Sequence, residues 1–210
     1  MSTPAQRMVA EQLLPNGVTD ERVLEVMSTI PREEFLSGRL RRHAYEDRAL
    51  SIECGQTISQ PLVVALMTQA LAPRPVDVAL EVGTGSGYQA AVLSRLCRKV
   101  VTVDREPALA EHASATLARL GFANVEVAVA DGSQGWPASA PYDVILVACA
   151  TPQVPDALVE QLAPEGRLII PLGDRHNQVL TLAQRVGDEV RTSTVADVRF
   201  VPLLGEFGFR

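Results

Sequence analysis

The chain has 210 residues, of which 47% are hydrophobic, and a formal net charge of −6. This composition is typical of a soluble globular protein with one core. The acidic charge balance argues against a protein that holds long nucleic acid, because phosphate contacts need clustered Lys and Arg. The short basic run at Arg39, Arg41 and Arg42 is flanked by acids and is interpreted as a solvated helix face.

The sequence contains no pattern typical of secretion, a membrane span or a metal site. The N-terminus lacks the unbroken apolar stretch of a signal peptide, and no apolar run reaches ~18 residues. We therefore expect a cytoplasmic protein that does not bind membranes. Cys54, Cys97 and Cys149 are widely separated, which predicts reduced, buried thiols. The three histidines lack partners at metal-ligand spacing, so no metal is expected.

The beginning of the chain is predicted to be helical. Apolar residues recur at intervals of three and four over 6–14 and 19–29, and Thr19 is a plausible N-cap of the second helix. Pro31 ends this pattern, and a short helical turn then leads into a charged, loop-like stretch. We interpret this region as a helical appendage.

The segment 51–71 combines a polar loop with an apolar helix. Gly55 marks a turn, and Pro61 opens the predicted helix 61–71, where its missing N–H donor is not needed. Thr57 and Ser59 therefore lie at a helix entrance. Their hydroxyls could cap the helix, or they could join free N–H groups in binding an anion such as a carboxylate. The two interpretations are compatible.

A strand, a glycine turn and a helix are predicted over 78–96. The apolar strand 78–82 is followed by Gly83, Gly85 and Gly87, and a helix begins at Tyr88. Such a turn reverses the chain tightly and lets the backbone approach a ligand, with a helix N-terminus facing that ligand. The dinucleotide pattern would need glycine at position 88. The turn therefore indicates a nucleotide-like ligand of another kind, or a purely structural turn.

Acidic residues end the next two predicted strands. Asp104 follows the strand 99–103, and Asp131-Gly132 follows the strand 124–130. In an open parallel sheet, ligands bind at the carboxyl ends of the strands, where an acid after the second strand can accept both ribose hydroxyls. Asp104 is thus either a ribose ligand or a cap, and Asp131 is either a turn residue or a contact near a purine ring.

The remaining pattern completes a doubly wound α/β fold. Helices are predicted over 107–120 and 155–162, and buried strands over 143–148 and 167–171. The segments 178–186 and 190–204 are strand-like without a helix between them, which indicates an antiparallel hairpin at one sheet edge. We therefore predict a Rossmann-like, mostly parallel sheet with an antiparallel C-terminal hairpin and an N-terminal helical appendage.

Several short motifs in the sequence resemble the motifs of a known family. In chain order, over 23–203, they are IPREEFL (30–36), AYEDRAL (44–50), GQTISQP (55–61), EVGTGSGYQAAVL (81–93), DG (131–132), GW (135–136), APYDVI (140–145), PEGRLIIPLG (164–173) and VRFVPL (198–203). Their order is similar to class I methyltransferases that use S-adenosylmethionine, and GQTISQP in particular resembles the protein-L-isoaspartate O-methyltransferase family.

The resemblance implies an activity. Members of this family methylate the α-carboxylate of L-isoaspartyl residues in damaged proteins and peptides, and the ester then collapses to a succinimide from which normal aspartate can re-form. We therefore expect S-adenosyl-L-methionine as cofactor, S-adenosyl-L-homocysteine as product, and isoaspartyl peptides and damaged proteins as partners. We also expect a cytoplasmic monomer that binds neither nucleic acid nor membranes.

The resemblance also implies roles for individual residues. Ser59 matches the active-site serine and is expected to orient the substrate carboxylate, and Val201 matches the segment that lines the peptide groove. The expected cofactor-binding residues are Gln56, Thr57, Ile58, Ser59, Gly83, Thr84, Gly85, Ser86, Gly87, Asp104, Asp131 and Gly132. We divide the chain into an N-terminal helical appendage with the active-site loop, 1–72, and a cofactor-binding domain, 73–210, that together form one compact unit.

Two departures from the family pattern leave alternatives open. Glu53-Cys54 replaces a frequent glycine and histidine, and Ala148-Cys149 replaces a threonine- or glycine-led alanine run. The first departure motivates the alternative of a methyltransferase for another carboxylate or a small molecule. The non-enzymatic alternative is a cofactor-binding adaptor without turnover.

Overall fold

The computed structural model describes residues 2–187 and 189–209, which form a layered α/β structure. Its strands are β1 (Leu50–Ser51), β2 (Thr57–Ile58), β3 (Val78–Val82), β4 (Lys99–Asp104), β5 (Val125–Val129), β6 (Tyr142–Val147), β7 (Leu162–Gly173), β8 (Gln178–Val186) and β9 (Glu189–Val198). Its helices are α1 (Pro4–Met8), α2 (Glu21–Thr29), α3 (Pro61–Leu71), α4 (Tyr88–Ser94), α5 (Pro107–Arg119) and α6 (Asp156–Glu160). A π-helical turn at Val9–Leu13 extends α1.

The main sheet has seven strands in the order β5-β4-β3-β6-β7-β8-β9. The first five are parallel neighbours, whereas β8 and β9 are antiparallel. Leu80 in β3 pairs with Val101 of β4 on one side and with Ile145 of β6 on the other. The strand order therefore reverses at β3, and in such sheets the crevice at the carboxyl ends of the strands is where ligands bind. The predicted fold is confirmed.

Hydrophobic clusters cover both faces of this sheet. Alternate residues of β6 divide between them, with Val144 and Leu146 in one cluster and Ile145 and Val147 in the other, as expected from the two-residue period of a strand. The first cluster also contains Met27 of α2. The N-terminal helices thus share a core with the sheet, while the division of the chain at residue 72 stays a prediction.

Several predicted boundaries were wrong. Asp20, rather than Thr19, caps α2, because its carboxylate accepts the Arg22 N–H. The strand β7 begins at Leu162, before the predicted turn, and the positive φ of Glu165 (60°) accompanies an irregular register with β6. The strand β9 ends at Val198, so residues 199–204 leave the sheet.

Two further predictions concern exposed residues. The basic run lies in an exposed 3₁₀ turn, Gly38–His43. Cys97 is buried and Cys149 partly buried, but Cys54 is exposed, so the prediction of three buried thiols was wrong for Cys54. Within residues 2–187 and 189–209, no helix is long and apolar enough to cross a membrane.

Candidate active site

A cavity lies at the carboxyl ends of β3, β4 and β6 and is partly open to solvent; its empty volume of about 880 Å³ includes this open space. It brings together most of the residues predicted to bind a cofactor: Gln56, Thr57, Ile58, Ser59, Gly83, Thr84, Gly85, Ser86, Asp104 and Gly132. Gly87 and Asp131 belong to the predicted set but do not line this cavity.

The glycine turn forms one wall, and its conformation needs glycine. Gly83, Gly85 and Gly87 have φ values of 94°, 51° and 86°, a region that L side chains rarely adopt. A Cβ on Gly83 would lie 3.0 Å from Cys149 Sγ, so the chain there passes close to the residues that follow β6. Gly87 ends the turn on the side away from the cavity, where a Cβ would press against Leu117 of α5. Its role is therefore in the turn and its packing.

Asp104 lies at the end of β4 and faces the cavity, with 9% of its surface exposed. Its carboxylate accepts the Gly85 N–H at 2.9 Å and the Glu106 N–H at 3.0 Å. Each carboxylate oxygen can accept a further hydrogen bond. Asp104 thus ties the glycine turn to β4 while presenting acceptors to a ligand.

Glu81 is a cavity residue that the motif analysis did not assign. Its side chain is fully buried, Thr102 Oγ1 donates to Glu81 Oε2 at 2.6 Å, and Thr102 Oγ1 lies 2.7 Å from Thr84 Oγ1. Burial, with Asp104 nearby, raises the pKa of Glu81 to about 8. Glu81 Oε1 has no partner in the described part of the chain. The feature of the sequence that could have identified Glu81 as a site residue is the presence of an acidic residue within an otherwise apolar strand.

Asp131 is turned toward the C-terminal segment. Its carboxylate accepts the Ser133 N–H and hydroxyl at 2.9 and 2.7 Å and the Glu206 N–H at 2.8 Å. Partial burial acts to raise the pKa of Asp131, but the hydrogen bonds from Glu206 and Ser133 together outweigh it and hold the pKa below its usual value. A Cβ on Gly205 would collide with this carboxylate. The contact of Asp131 with a purine ring stays a prediction.

The loop before α3 forms the opposite wall. Ser51 pairs with Thr57, and Leu50 with Ile58, in the hairpin of β1 and β2. Neither Thr57 nor Ser59 caps α3, so that interpretation was wrong. Asp47 accepts the Leu62 N–H at 3.2 Å instead. The hydroxyls of Thr57 and Ser59 therefore do not take part in capping α3.

A second cavity of about 900 Å³ opens beside the first. The residues that line both cavities are Thr57, Ser59, Ala148 and Val201. The far wall of the second cavity is formed by the segment 197–201, which includes Asp197 and Arg199. Ser59 and Val201, the two residues predicted to contact a substrate, thus lie where the cavities meet.

The segment 197–201 is held by contacts that sequence patterns did not indicate. The buried Gln178 accepts the Phe200 N–H at 2.6 Å and donates to the Phe200 carbonyl at 3.3 Å. The Ala150 N–H donates to the Val201 carbonyl at 2.8 Å. These bonds keep the segment against the end of β6 although it has left the sheet.

A doubly wound sheet with a cavity at its switch point is the organisation of class I methyltransferases that use S-adenosyl-L-methionine. The family model for protein-L-isoaspartate(D-aspartate) O-methyltransferase matches residues 4–208. The chain belongs to this family, so it is an enzyme of protein repair and its cofactor is S-adenosyl-L-methionine. The predicted family, activity and cofactor are confirmed.

Curated relatives support this membership over nearly the whole chain. The protein-L-isoaspartate O-methyltransferase of Roseiflexus castenholzii is 52% identical over 203 residues, covering 97% of this chain and 93% of that protein. The protein of the same name from Methanoregula boonei is 49% identical over 208 residues, covering 99% and 96%.

Two solved structures have the same fold as this chain over nearly its whole length. A protein-L-isoaspartate O-methyltransferase superposes with a TM-score of 0.86 at 31% identity, covering 97% of this chain and 67% of that chain. A putative family member from Plasmodium falciparum, solved in complex with S-adenosyl-L-homocysteine, has the same fold, with a TM-score of 0.82 at 24% identity over 95% of this chain and 98% of that chain.

Proposed function

We propose that the first cavity binds S-adenosyl-L-methionine and that the second receives the L-isoaspartyl residue of a damaged protein, with Ser59 between them. The observation that supports this assignment is the position of Ser59 and Val201 in the walls of both cavities. A residue at this junction can contact a methyl acceptor in one cavity and a methyl donor in the other.

The residues of the first cavity fit this cofactor. Gly83 and Gly85 remove side chains where the backbone must approach a ligand. Asp104 offers carboxylate acceptors for two ribose hydroxyls. The unpaired Glu81 Oε1 offers a hydrogen-bonding position for a polar group of the cofactor. We propose that Gln56, Thr57, Ile58, Thr84, Ser86 and Gly132 complete the site, with Gly87 setting the turn and Asp131 acting through Gly132.

The reaction needs alignment more than acid–base catalysis. When bound, the cofactor would supply an activated methyl group on a positively charged sulfur: as a carboxylate oxygen bonds to the methyl carbon, the carbon–sulfur bond would break and its electron pair would leave with the sulfur as the neutral thioether S-adenosyl-L-homocysteine. A carboxylate is already ionised near neutral pH, so no general base is needed. We propose that the Ser59 hydroxyl donates to the substrate α-carboxylate and orients it. Holding reactants in attack geometry can supply roughly 7–11 kcal/mol.

Ser59 is not proposed as a covalent nucleophile. Nucleophilic serines are activated by a neighbouring base, and none of His43, His112 and His176 lines either cavity in the described residues. The methyl ester formed on the isoaspartyl residue then collapses to a succinimide outside the enzyme's chemistry.

A pair of peptides that differ only in Asp or isoAsp linkage tests this function. We expect methyl incorporation from labelled cofactor only with the isoAsp peptide. Equal incorporation into both peptides would favour another carboxylate acceptor. Cofactor binding without any transfer would favour an adaptor. The family membership favours the isoaspartyl acceptor over both.

We also propose that the enzyme acts in the cytoplasm as a monomer and without nucleic acid. The formal net charge of −6 supports the last point, because phosphate contacts need clustered cations. Light scattering coupled to size exclusion should give a mass near 22.6 kDa. A mass of twice that value would overturn the monomer.

A further inference from the structure

Arg32, in the IPREEFL motif, is a fully buried arginine. The proposed function assigns no role to it. It begins a 3₁₀ turn, Arg32–Phe35, directly after α2 and Pro31. Taking a guanidinium out of water is costly, and buried charges are usually paired with an opposite charge. Among the described residues, Arg32 forms no ion pair with a carboxylate. What it contacts instead indicates why it is there.

The guanidinium binds two backbone carbonyls and one aromatic ring. Nη2 donates to the Ser59 carbonyl at 2.6 Å, and Nε donates to the Ala44 carbonyl at 2.7 Å. The guanidinium carbon lies 4.6 Å from the ring centroid of Tyr88, which is within the range of a cation–π interaction. A charged donor gives a stronger hydrogen bond than a neutral one.

Two of these three contacts are residues of the cofactor cavity. Ser59 lines both cavities, and Tyr88 lines the first and begins α4 directly after the glycine turn. Ala44 belongs to the buried N-terminal region. The guanidinium therefore joins the loop that contains Ser59 to the start of α4, the helix that follows the glycine turn.

We propose that Arg32 is a positioning residue for methyl transfer, which fixes the backbone of Ser59 relative to the cofactor cavity and so aims its hydroxyl. This inference rests on the proposed role of Ser59. A displacement of about 1 Å in attack geometry can cost ~100-fold in rate. A lysine at this position has all its donors on one nitrogen at the end of a flexible stem, so it cannot reproduce the rigid, separated Nε and Nη2 contacts of the guanidinium fork.

The test is a double-mutant cycle of Arg32→Lys and Ser59→Ala, assayed with saturating isoaspartyl peptide and cofactor. We expect Arg32→Lys alone to lower kcat by about 5- to 30-fold, at most as much as Ser59→Ala, while the cofactor Kd from calorimetry changes by less than about threefold. In the Ser59→Ala background, the same substitution should change kcat by less than about twofold, because the hydroxyl that it aims is gone.

Arg167→Lys is the matched control. Arg167 is also a largely buried arginine that donates to a backbone carbonyl, that of Ala72 at 2.8 Å, and it pairs with Asp77. It lines neither of the two cavities. We expect Arg167→Lys to lower the melting temperature while leaving kcat unchanged.

The outcomes separate this inference from the proposed function. If Ser59→Ala leaves kcat unchanged, the role of Ser59 fails. If Ser59→Ala lowers kcat but Arg32→Lys does not, or the two losses multiply, the Arg32 inference alone is overturned. If Arg32→Lys gives no cooperative melt, Arg32→Gln enters the same cycle. Failure of both variants to fold would assign Arg32 to the core and also overturn the inference.

Discussion

The two cavities of this enzyme are built in different ways. The first cavity, which we propose binds the cofactor, is formed mostly by two successive strand–turn–helix units, β3 to α4 and β4 to α5. The carboxyl ends of their strands meet at the switch point. The second cavity, the proposed acceptor groove, lies between the loop at Thr57 and Ser59 and the segment 197–201, from opposite ends of the chain. Buried side chains outside the groove, Arg32 and Gln178, hold these two segments in place.

This difference separates what a local pattern can specify from what it cannot. A glycine turn at the end of a strand forms a ligand-binding surface within one local segment, because the backbone conformation of the glycines and the N–H groups of the following helix face the ligand directly. The acceptor groove has no such local geometry, and it exists only when distant segments pack together. We therefore expect substitutions in the first cavity to change cofactor binding or local electrostatics, and substitutions in the second to change turnover.

The largest expected effect concerns the buried acid of the cofactor cavity. Glu81 has a pKa near 8 in the folded protein and 4.5 as its ordinary value, so the folded state holds an extra proton between these pH values. The contribution of Glu81 to wild-type stability should therefore fall as pH rises from 4.5 to about 8, on the order of 1 kcal/mol per pH unit. Glu81→Gln should lack this fall.

Urea unfolding of wild type and Glu81→Gln across pH 5 to 9 measures this difference. The advantage of wild type over the variant should shrink as pH rises and level off above about pH 8. The exposed Glu160→Gln serves as a control for loss of one carboxylate at the surface. Parallel curves for wild type and Glu81→Gln would contradict the raised pKa.

Asp104→Ala tests the ribose assignment. Hydrogen bonds to a charged acceptor contribute roughly 1.5–3 kcal/mol each, so loss of this acid should weaken S-adenosyl-L-methionine binding by about 100-fold or more. Calorimetric titration measures the Kd. Asp104→Asn, which keeps one acceptor oxygen, should lose less affinity for the cofactor than Asp104→Ala. Wild-type affinity in Asp104→Ala would remove the assignment.

Ser59→Ala tests the acceptor groove. Removing one orienting hydrogen bond should cost about 1–2 kcal/mol in the transition state, which is roughly a 5- to 30-fold fall in kcat with the isoaspartyl peptide. The cofactor Kd should stay within about threefold of wild type. A lowered cofactor affinity with unchanged kcat would place Ser59 in the cofactor half alone.

Asp131→Ala should have the smallest effect on cofactor binding. Its carboxylate is occupied by Ser133 and Glu206, and only its neighbour Gly132 lines the cavity. We expect the Kd for S-adenosyl-L-methionine to change by about threefold or less, since the contact is indirect. A loss equal to that of Asp104→Ala would show direct contact with the cofactor.

Local patterns predicted the fold and most of the first cavity. The alternation of apolar strands with helices predicted the doubly wound sheet, and the glycine turn and Asp104 were found from strand ends alone. The words GQTISQP and VRFVPL pointed to Ser59 and Val201 through family resemblance. Cys54 and the N-cap of α2 were mispredicted, because exposure and the choice between adjacent capping residues depend on tertiary contacts.

By itself the sequence determined the sheet, the glycine turn with its neighbouring acid and the family, because each depends on residues close together in the chain. Only the tertiary structure decided that Asp47 caps α3, that Asp131 turns toward Glu206, and that Arg32 reaches the carbonyl of Ser59. Each of these contacts joins side chains to backbone groups of another segment. Periodicity and motif spacing contain no information about such contacts, because they arise only when the segments pack around the shared core.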